Sequence, residues 1–89
     1  MNINLEYYKI FYYTARAGSI TRAAELLSVS QPAVSQAVRT LEEEVGMPLF
    51  VRTGKGVRLT PAGEVLYSYV ERGYESILMG EMKLRAVSY

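Results

Sequence analysis

Cysteine, histidine and aspartate are all missing from this 89-residue chain. Without cysteine there is no disulfide, no thiolate metal site and no thiol nucleophile. Without histidine and aspartate the usual general base, the commonest metal ligand and every triad built on them are gone as well, which leaves only Glu, Lys and Tyr to move protons. The eight tyrosines do not fill that gap. Tyr7, Tyr8, Tyr12 and Tyr13 fall in one helical segment and Tyr67, Tyr69 and Tyr74 in another, where amphipathic rings suit packing and interfaces and converge on no motif. No enzymatic activity, metal or other cofactor is expected. Long apolar runs are lacking too: Arg, Glu or Lys interrupts every window of the roughly 18 residues that a membrane span needs. The first residues, Met-Asn-Ile-Asn-Leu-Glu, have neither the basic start nor the apolar run of a secretory signal, so a cytoplasmic location is expected.

Charge of either sign is nearly balanced, with a net charge of +1, so only its distribution is informative. Residues 1–60 carry Lys9, Arg16, Arg22, Arg39, Arg52, Lys55 and Arg58 against Glu6, Glu25, Glu42, Glu43 and Glu44, and the remainder is slightly acidic. With 49% hydrophobic residues the chain is long enough for one small core and too short for two ordinary domains.

From Leu5 to Ala17 the apolar positions Tyr8, Phe11, Tyr12 and Ala15 recur at helical spacing, and Gly18 ends the segment. Ser19 is placed to cap a short second helix with Ala23, Ala24, Leu26 and Leu27, which breaks at Ser28 and Val29. Ser30, with Pro32 in the first turn, starts a third helix from about Gln31 to Val45, closed by Gly46 and barred from continuing by Pro48. Residues 49–53 and 57–59 read as two short strands around Gly54-Lys55-Gly56. Thr60-Pro61 is a further start signal, and one long helix fills the rest. The expected fold is mainly α: three helices and a two-stranded wing over residues 1–60, a winged helix-turn-helix, then a long C-terminal dimerisation helix over 61–89.

At about 100° per residue, Val34, Ala37, Val38, Leu41 and Val45 form the core stripe of the third helix. The opposite stripe carries Pro32, Ser35, Gln36, Arg39 and Glu43. Any amphipathic helix needs a polar face, but two helices joined by a turn of about three residues, the second opening with a cap and a polar N-terminal half, have helix-turn-helix spacing. Gln, Arg and Ser are the side chains that bond base edges. Ala23, Leu27, Val29 and Val34 supply the small and apolar contacts of the tight crossing. Glu42, Glu43 and Glu44 oppose the helix dipole and would repel phosphates, so only the N-terminal half suits a groove. These acids read as a solvated face, with Arg39 and Glu43 spaced for an i, i+4 pair.

The run Gly18-Ser19-Ile20-Thr21-Arg22-Ala23-Ala24-Glu25-Leu26-Leu27, continuing Val29-Ser30-Gln31-Pro32-Ala33-Val34-Ser35, resembles the LysR-type transcription regulators. The likeness extends through Leu41-Glu42, Gly46, Pro48-Leu49-Phe50, Arg52 and Leu59-Thr60-Pro61-Ala62-Gly63, in the same order. It implies a DNA-binding winged helix, a linker helix that pairs two subunits, and a downstream ligand-binding domain, not among these 89 residues, through which any small-molecule effector would act. It also implies that Gln31, Pro32, Ser35 and Gln36 lie in the major groove, and that Arg52 approaches the DNA backbone or minor groove from the wing. Gln36 stands where many relatives have Arg, which leaves base preference open; Ile20 stands where Phe is frequent. Arg39 suits either bases or phosphates, and Arg22, Lys55 and Arg58 are further phosphate candidates. The hydroxyls of Thr21 and Ser30 fit phosphate bonds and helix caps equally well.

In the last helix Leu66, Val70, Gly73, Ile77, Gly80, Leu84 and Val87 alternate spacings of four and three, a heptad-like seam. A lone helix cannot bury such a stripe, so a second copy of the chain is expected as a partner; the helix-turn-helix and the resemblance imply the other, a double-stranded DNA operator in the form of an imperfect palindrome. A protein-binding adaptor on a winged helix is the alternative, although it has no need of Arg52, Lys55 and Arg58 around one glycine hairpin.

Overall fold

A computed structural model describes residues 4–87, so the last two residues of the 61–89 segment lie outside the described residues. The order is α1 (Leu5–Ala17), α2 (Ile20–Leu27), α3 (Gln31–Val45), β1 (Phe50–Thr53), β2 (Gly56–Leu59) and α4 (Pro61–Val87). The two strands form one antiparallel hairpin with Phe50 opposite Leu59 and Thr53 opposite Gly56. Three kinds of helix boundary act through local geometry. Gly18 and Gly46 end α1 and α3 in the left-handed conformation. Ser19 and Ser30 cap α2 and α3 by accepting from the amides of Arg22 and Ala33 at 3.1 and 3.2 Å. Ser28 ends α2 at φ 58°, the one left-handed non-glycine among the described residues.

The helices meet around α1, which buries a wider stripe than its sequence period indicates. Ile10 packs with Ala23, Ala24, Val34, Ala37 and Val38 of α2 and α3. Phe11 packs with Leu41 and Leu49, and Phe50, Leu59, Leu66, Tyr67 and Val70 close around that second cluster. Thr14 is fully buried between these faces, its hydroxyl donating to the Ile10 carbonyl at 2.7 Å. That bond satisfies a polar group that would otherwise oppose burial. One position expected at the helix crossing differs. Val29 is exposed, because after Ser28 turns left-handed its amide bonds back to the Ala24 carbonyl and its side chain swings off the core. Leu26 is exposed on the outer side of α2, and Val45 is only half-buried.

α4 leaves this core tangentially. Its 27 residues span about 40 Å at 1.5 Å each, against a longest molecular extent of 49 Å. Its first turn abuts the wing: a Cβ at Gly63 would collide with the Leu49 carbonyl oxygen and the Leu59 side chain, so glycine is what lets α4 start there. Farther along, tyrosines bind α4 to α1. Tyr12 lies between Tyr67 and Tyr74 at centroid distances of 5.9 and 4.4 Å, and the hydroxyls of Tyr13 and Tyr74 are hydrogen-bonded at 3.1 Å. Arg16 adds an ion pair to Glu71 at 3.7 Å and a bond to the Tyr67 hydroxyl at 3.4 Å.

The hydrogen bond to Tyr13, with burial behind it, pushes the Tyr74 phenol up to about 12. A phenol whose folded value is raised stabilises the fold below its unfolded value near 10, and that contribution is lost as pH climbs from there to about 12. Ultraviolet titration should therefore contain a late phase from Tyr74 that Tyr13→Phe moves to lower pH; a titration curve whose late phase Tyr13→Phe leaves unchanged would contradict the contact.

Candidate nucleic-acid interface

The polar face of α3 is presented to solvent by the burial of its opposite face. Val34, Ala37, Val38 and Leu41 are buried, which turns Gln31, Pro32, Gln36 and Arg39 outward and leaves Ser35 half-buried. Pro32 sits in the first turn, where an amide hydrogen would have no helical partner anyway. Gln36 is held on both sides: its amide nitrogen donates to the Thr40 hydroxyl at 3.2 Å, and its oxygen accepts from Arg39 at 3.3 Å. Arg39 thus bonds Gln36 and not Glu43, the partner its spacing suggested, which leaves Glu43 solvated. The Gln36–Arg39 contact is exposed, so both groups remain free to exchange it for a base edge.

The wing comes up beside this face. Ser35, Arg39 and Glu42 of α3, Arg52 of β1 and Val57 of β2 line one shallow cleft of about 110 Å³. Arg52, Lys55 and Arg58 are all exposed, and none forms an ion pair among the described residues. Three unpaired cations on one hairpin next to an amide- and hydroxyl-bearing helix make a surface suited to polyanions. The hairpin tip is shaped by Thr53, whose hydroxyl donates to the Gly56 carbonyl and accepts from the Lys55 amide, each at 3.2 Å.

On α2, Thr21 and Arg22 are exposed beside the turn. Ser19, not Thr21, caps that helix, so the Thr21 hydroxyl has no partner among the described residues, whereas the Ser30 hydroxyl is occupied as a cap. Arg22 is paired with Glu25 at 3.3 Å, an exposed contact of the kind worth little in water. Sequence reasoning missed Thr40 and Glu42. Thr40 lies one helical turn beyond Gln36, a spacing that was available to find it; Glu42 is engaged across a loop, which no local spacing reports.

Residues 5–64 match the family described as bacterial regulatory helix-turn-helix protein, lysR family. The chain belongs to the LysR family. Among curated proteins it is 51% identical over 69 residues to the RuBisCO operon transcriptional regulator of Allochromatium vinosum, covering 78% of this chain and 23% of that protein. It is likewise 51% identical over 65 residues to the HTH-type transcriptional regulator BudR of Klebsiella aerogenes, covering 73% of this chain and 46% of that one. The LysR-type chain thus spans less than half the length of either relative. Among solved structures, the BenM DBD in complex with catB site 1 DNA superimposes with a TM-score of 0.84 at 31% identity, over 98% of this chain and 99% of that one. The CbnR DBD–DNA complex gives 0.80 at 30% identity, over 98% and 100%. Fold, element order and family are those of a LysR-type helix-turn-helix DNA-binding domain.

The wing of this LysR-type domain rests on the α1–α2 turn, where the Val57 amide donates to the Gly18 carbonyl at 3.0 Å. Gly56, at φ 147°, lies so close that a Cβ would collide with the same carbonyl, while Gly54 at the tip faces open space. Gly56→Ala should lower the unfolding free energy by about 1–3 kcal/mol, and Gly54→Ala should stay within about 0.5 kcal/mol of wild type in urea denaturation; equal effects of the two would mean that the wing is not docked on that turn.

Proposed function

We propose that this chain reads an imperfect palindromic operator in double-stranded DNA as a homodimer, with no catalytic role, as the DNA-binding part of a transcription regulator. The observation that carries the proposal is the cleft in which Arg52 of the wing meets Ser35 and Arg39 of the α3 polar face, on a hairpin that also carries the exposed, unpaired Lys55 and Arg58. In this reading α3 enters the major groove by its N-terminal half, Gln31, Ser35 and Gln36 bond base edges, Pro32 packs against them, and Arg39 serves bases or phosphates. Arg52, Lys55 and Arg58, with Thr21 and Arg22 on α2, hold the backbone. Ser30 remains a cap. The DNA complexes of the BenM and CbnR domains, over nearly the whole chain, support this assignment.

Dimerisation is read from α4. Leu66 and Val70 lie half-buried against the chain's own core, so the seam left for a second copy runs through Gly73, Ile77, Gly80, Leu84 and Val87, all exposed. A Cβ at Gly73 or Gly80 would meet nothing in the same chain, so no internal contact explains two helix-weakening glycines on this face. α4 also runs unbroken through both. Close approach of a second α4 backbone accounts for them. Beside the seam, Leu5, Tyr8, Tyr69, Val70, Tyr74 and Ile77 line an apolar groove of about 500 Å³ between α1 and α4, which widens the surface on offer. The tyrosine and α1 contributions to this surface are not visible in a heptad count. Two such copies present two recognition helices to the arms of a palindrome. No helix among the described residues is long and apolar enough to cross a membrane. Membership in a family of bacterial DNA-binding regulators supports work on DNA in the cytoplasm.

Two measurements test the reading. Affinity for duplex DNA should fall steeply with salt, and Arg52→Ala or Lys55→Ala should weaken binding to all sequences alike and lower the log–log slope by about 0.9 for each phosphate no longer neutralised; unchanged slopes in both variants would remove the wing from the interface. Sedimentation at micromolar concentration should report twice the 10.0 kDa chain mass. Gly73→Leu or Gly80→Leu should lower dimer stability and DNA affinity together, whereas a monomeric wild type, or bulky variants that dimerise more tightly, would overturn the glycine contact.

A further inference from the structure

Of the three acids that end α3, Glu42 alone turns inward. Its carboxylate oxygen Oε2 accepts from the backbone amides of Leu49 at 2.7 Å and Phe50 at 3.3 Å. Its own carbonyl accepts from the amides of Gly46 and Met47 at 2.8 and 3.1 Å, closing the helix. One residue thus terminates the recognition helix and receives the first amides of the wing. Phe50 opens β1, and Arg52, two residues on, lies on the same face of that strand and in the same cleft as Glu42. A shift at the Phe50 backbone is therefore carried to the Arg52 guanidinium.

We propose that Glu42 is the positioning residue that sets the distance between the recognition helix and the wing, so that Arg52 meets the DNA backbone in register with α3. The proposal rests on the DNA-binding reading above. The wing has two further anchors, the Val57–Gly18 bond and the bonds of the Thr60 amide to the Leu49 carbonyl at 3.0 Å and of the Thr60 hydroxyl to the Pro48 carbonyl at 2.8 Å. Loss of Glu42 therefore leaves a folded wing at an altered position. Both amides use one oxygen, so the Gln side chain, with its single carbonyl oxygen, preserves the contact without the charge. Placement here depends on an acceptor, not on negative charge. That distinguishes Glu42 from Glu43 and Glu44, which are exposed and act on DNA, if at all, by repulsion.

The test measures salt dependence of binding to a duplex that the wild-type chain selects from a random pool, for wild type, Arg52→Ala, Glu42→Ala, Glu42→Gln and the Glu42→Ala/Arg52→Ala double variant. Glu42→Ala should flatten the slope as much as Arg52→Ala, by about 0.9 for each phosphate that Arg52 ceases to neutralise. The double variant should be no flatter than either single one, because both remove the same interaction. Glu42→Gln should keep the wild-type slope. A wild-type slope in Glu42→Ala, additive losses in the double variant, or binding tightened by Glu42→Gln through relief of repulsion would each overturn the proposal. Should Glu42→Ala fail to fold, Glu42→Met takes its place, since it keeps the length of the side chain and offers no oxygen to accept the two amides: it should flatten the slope as Arg52→Ala does, and a wild-type slope would overturn the proposal. If Arg52→Ala itself leaves the slope unchanged, the DNA-binding role of the wing fails, while hydrogen exchange at the Leu49 amide still tests Glu42: it should be faster in Glu42→Ala than in the wild type and Glu42→Gln, and equal rates in all three would overturn the contact.

Discussion

The peptide groups flanking Leu49 join α3, the wing and α4. The Leu49 amide is held by Glu42 of α3, its carbonyl by the Thr60 amide that precedes α4, and its side chain is buried against Phe11 and Leu41. Gly63 is glycine because the same carbonyl fills the space a Cβ would need. Three elements therefore share one anchor. A chain of this size cannot spread its tertiary contacts widely, and concentrating them at Leu49 makes the separation of α3, the hairpin and α4 a property of a few hydrogen bonds and one buried side chain.

That arrangement divides the surface by chemistry. The α3 face and the wing carry amides, hydroxyls and unpaired guanidinium and ammonium groups, while the acids of the third helix are withdrawn to its far end, one of them consumed by backbone amides. On the opposite side, α1 and α4 are riveted by Tyr12, Tyr13, Tyr67 and Tyr74, contacts worth about 0.5–1.5 kcal/mol each beyond simple burial. They fix the angle at which α4 leaves the core, and with it the spacing that two copies would impose on two recognition helices. Ile77, Leu84 and Val87 are then left exposed along the free length of α4.

Where structure depends on adjacent residues, it was legible in the sequence. Gly18, Ser19, Ser30 with Pro32, Gly46 and Thr60 with Pro61 mark the helix boundaries, because capping and left-handed termination act within one turn. The buried face of α3 followed from its period for the same reason, as did the outward face with Pro32, Gln36, Arg39 and Glu43; Ser35, on the same stripe, is half-buried. Contacts that cross loops were not legible. Glu42 looks like its neighbours Glu43 and Glu44 until the chain folds back at Pro48. Val29 has the composition of a core residue, but the Ser28 conformation turns it out. Leu66 and Val70 have heptad spacing, yet the first turns of α4 meet the chain's own Phe11 cluster before any partner can. The tyrosines could be assigned to packing, but not to each other.

Base reading by α3 is most directly tested by selecting bound fragments from a random duplex pool with the wild-type chain and with Gln36→Ala and Ser35→Ala. The wild type should enrich an imperfect palindrome, and each variant should relax preference at symmetric positions in both arms, with a wrong pair there costing less than the roughly 1–3 kcal/mol of an intact contact. Failure of the wild type to enrich any sequence, or variants that select the wild-type sequence unchanged at every position, would contradict the assignment of the recognition face.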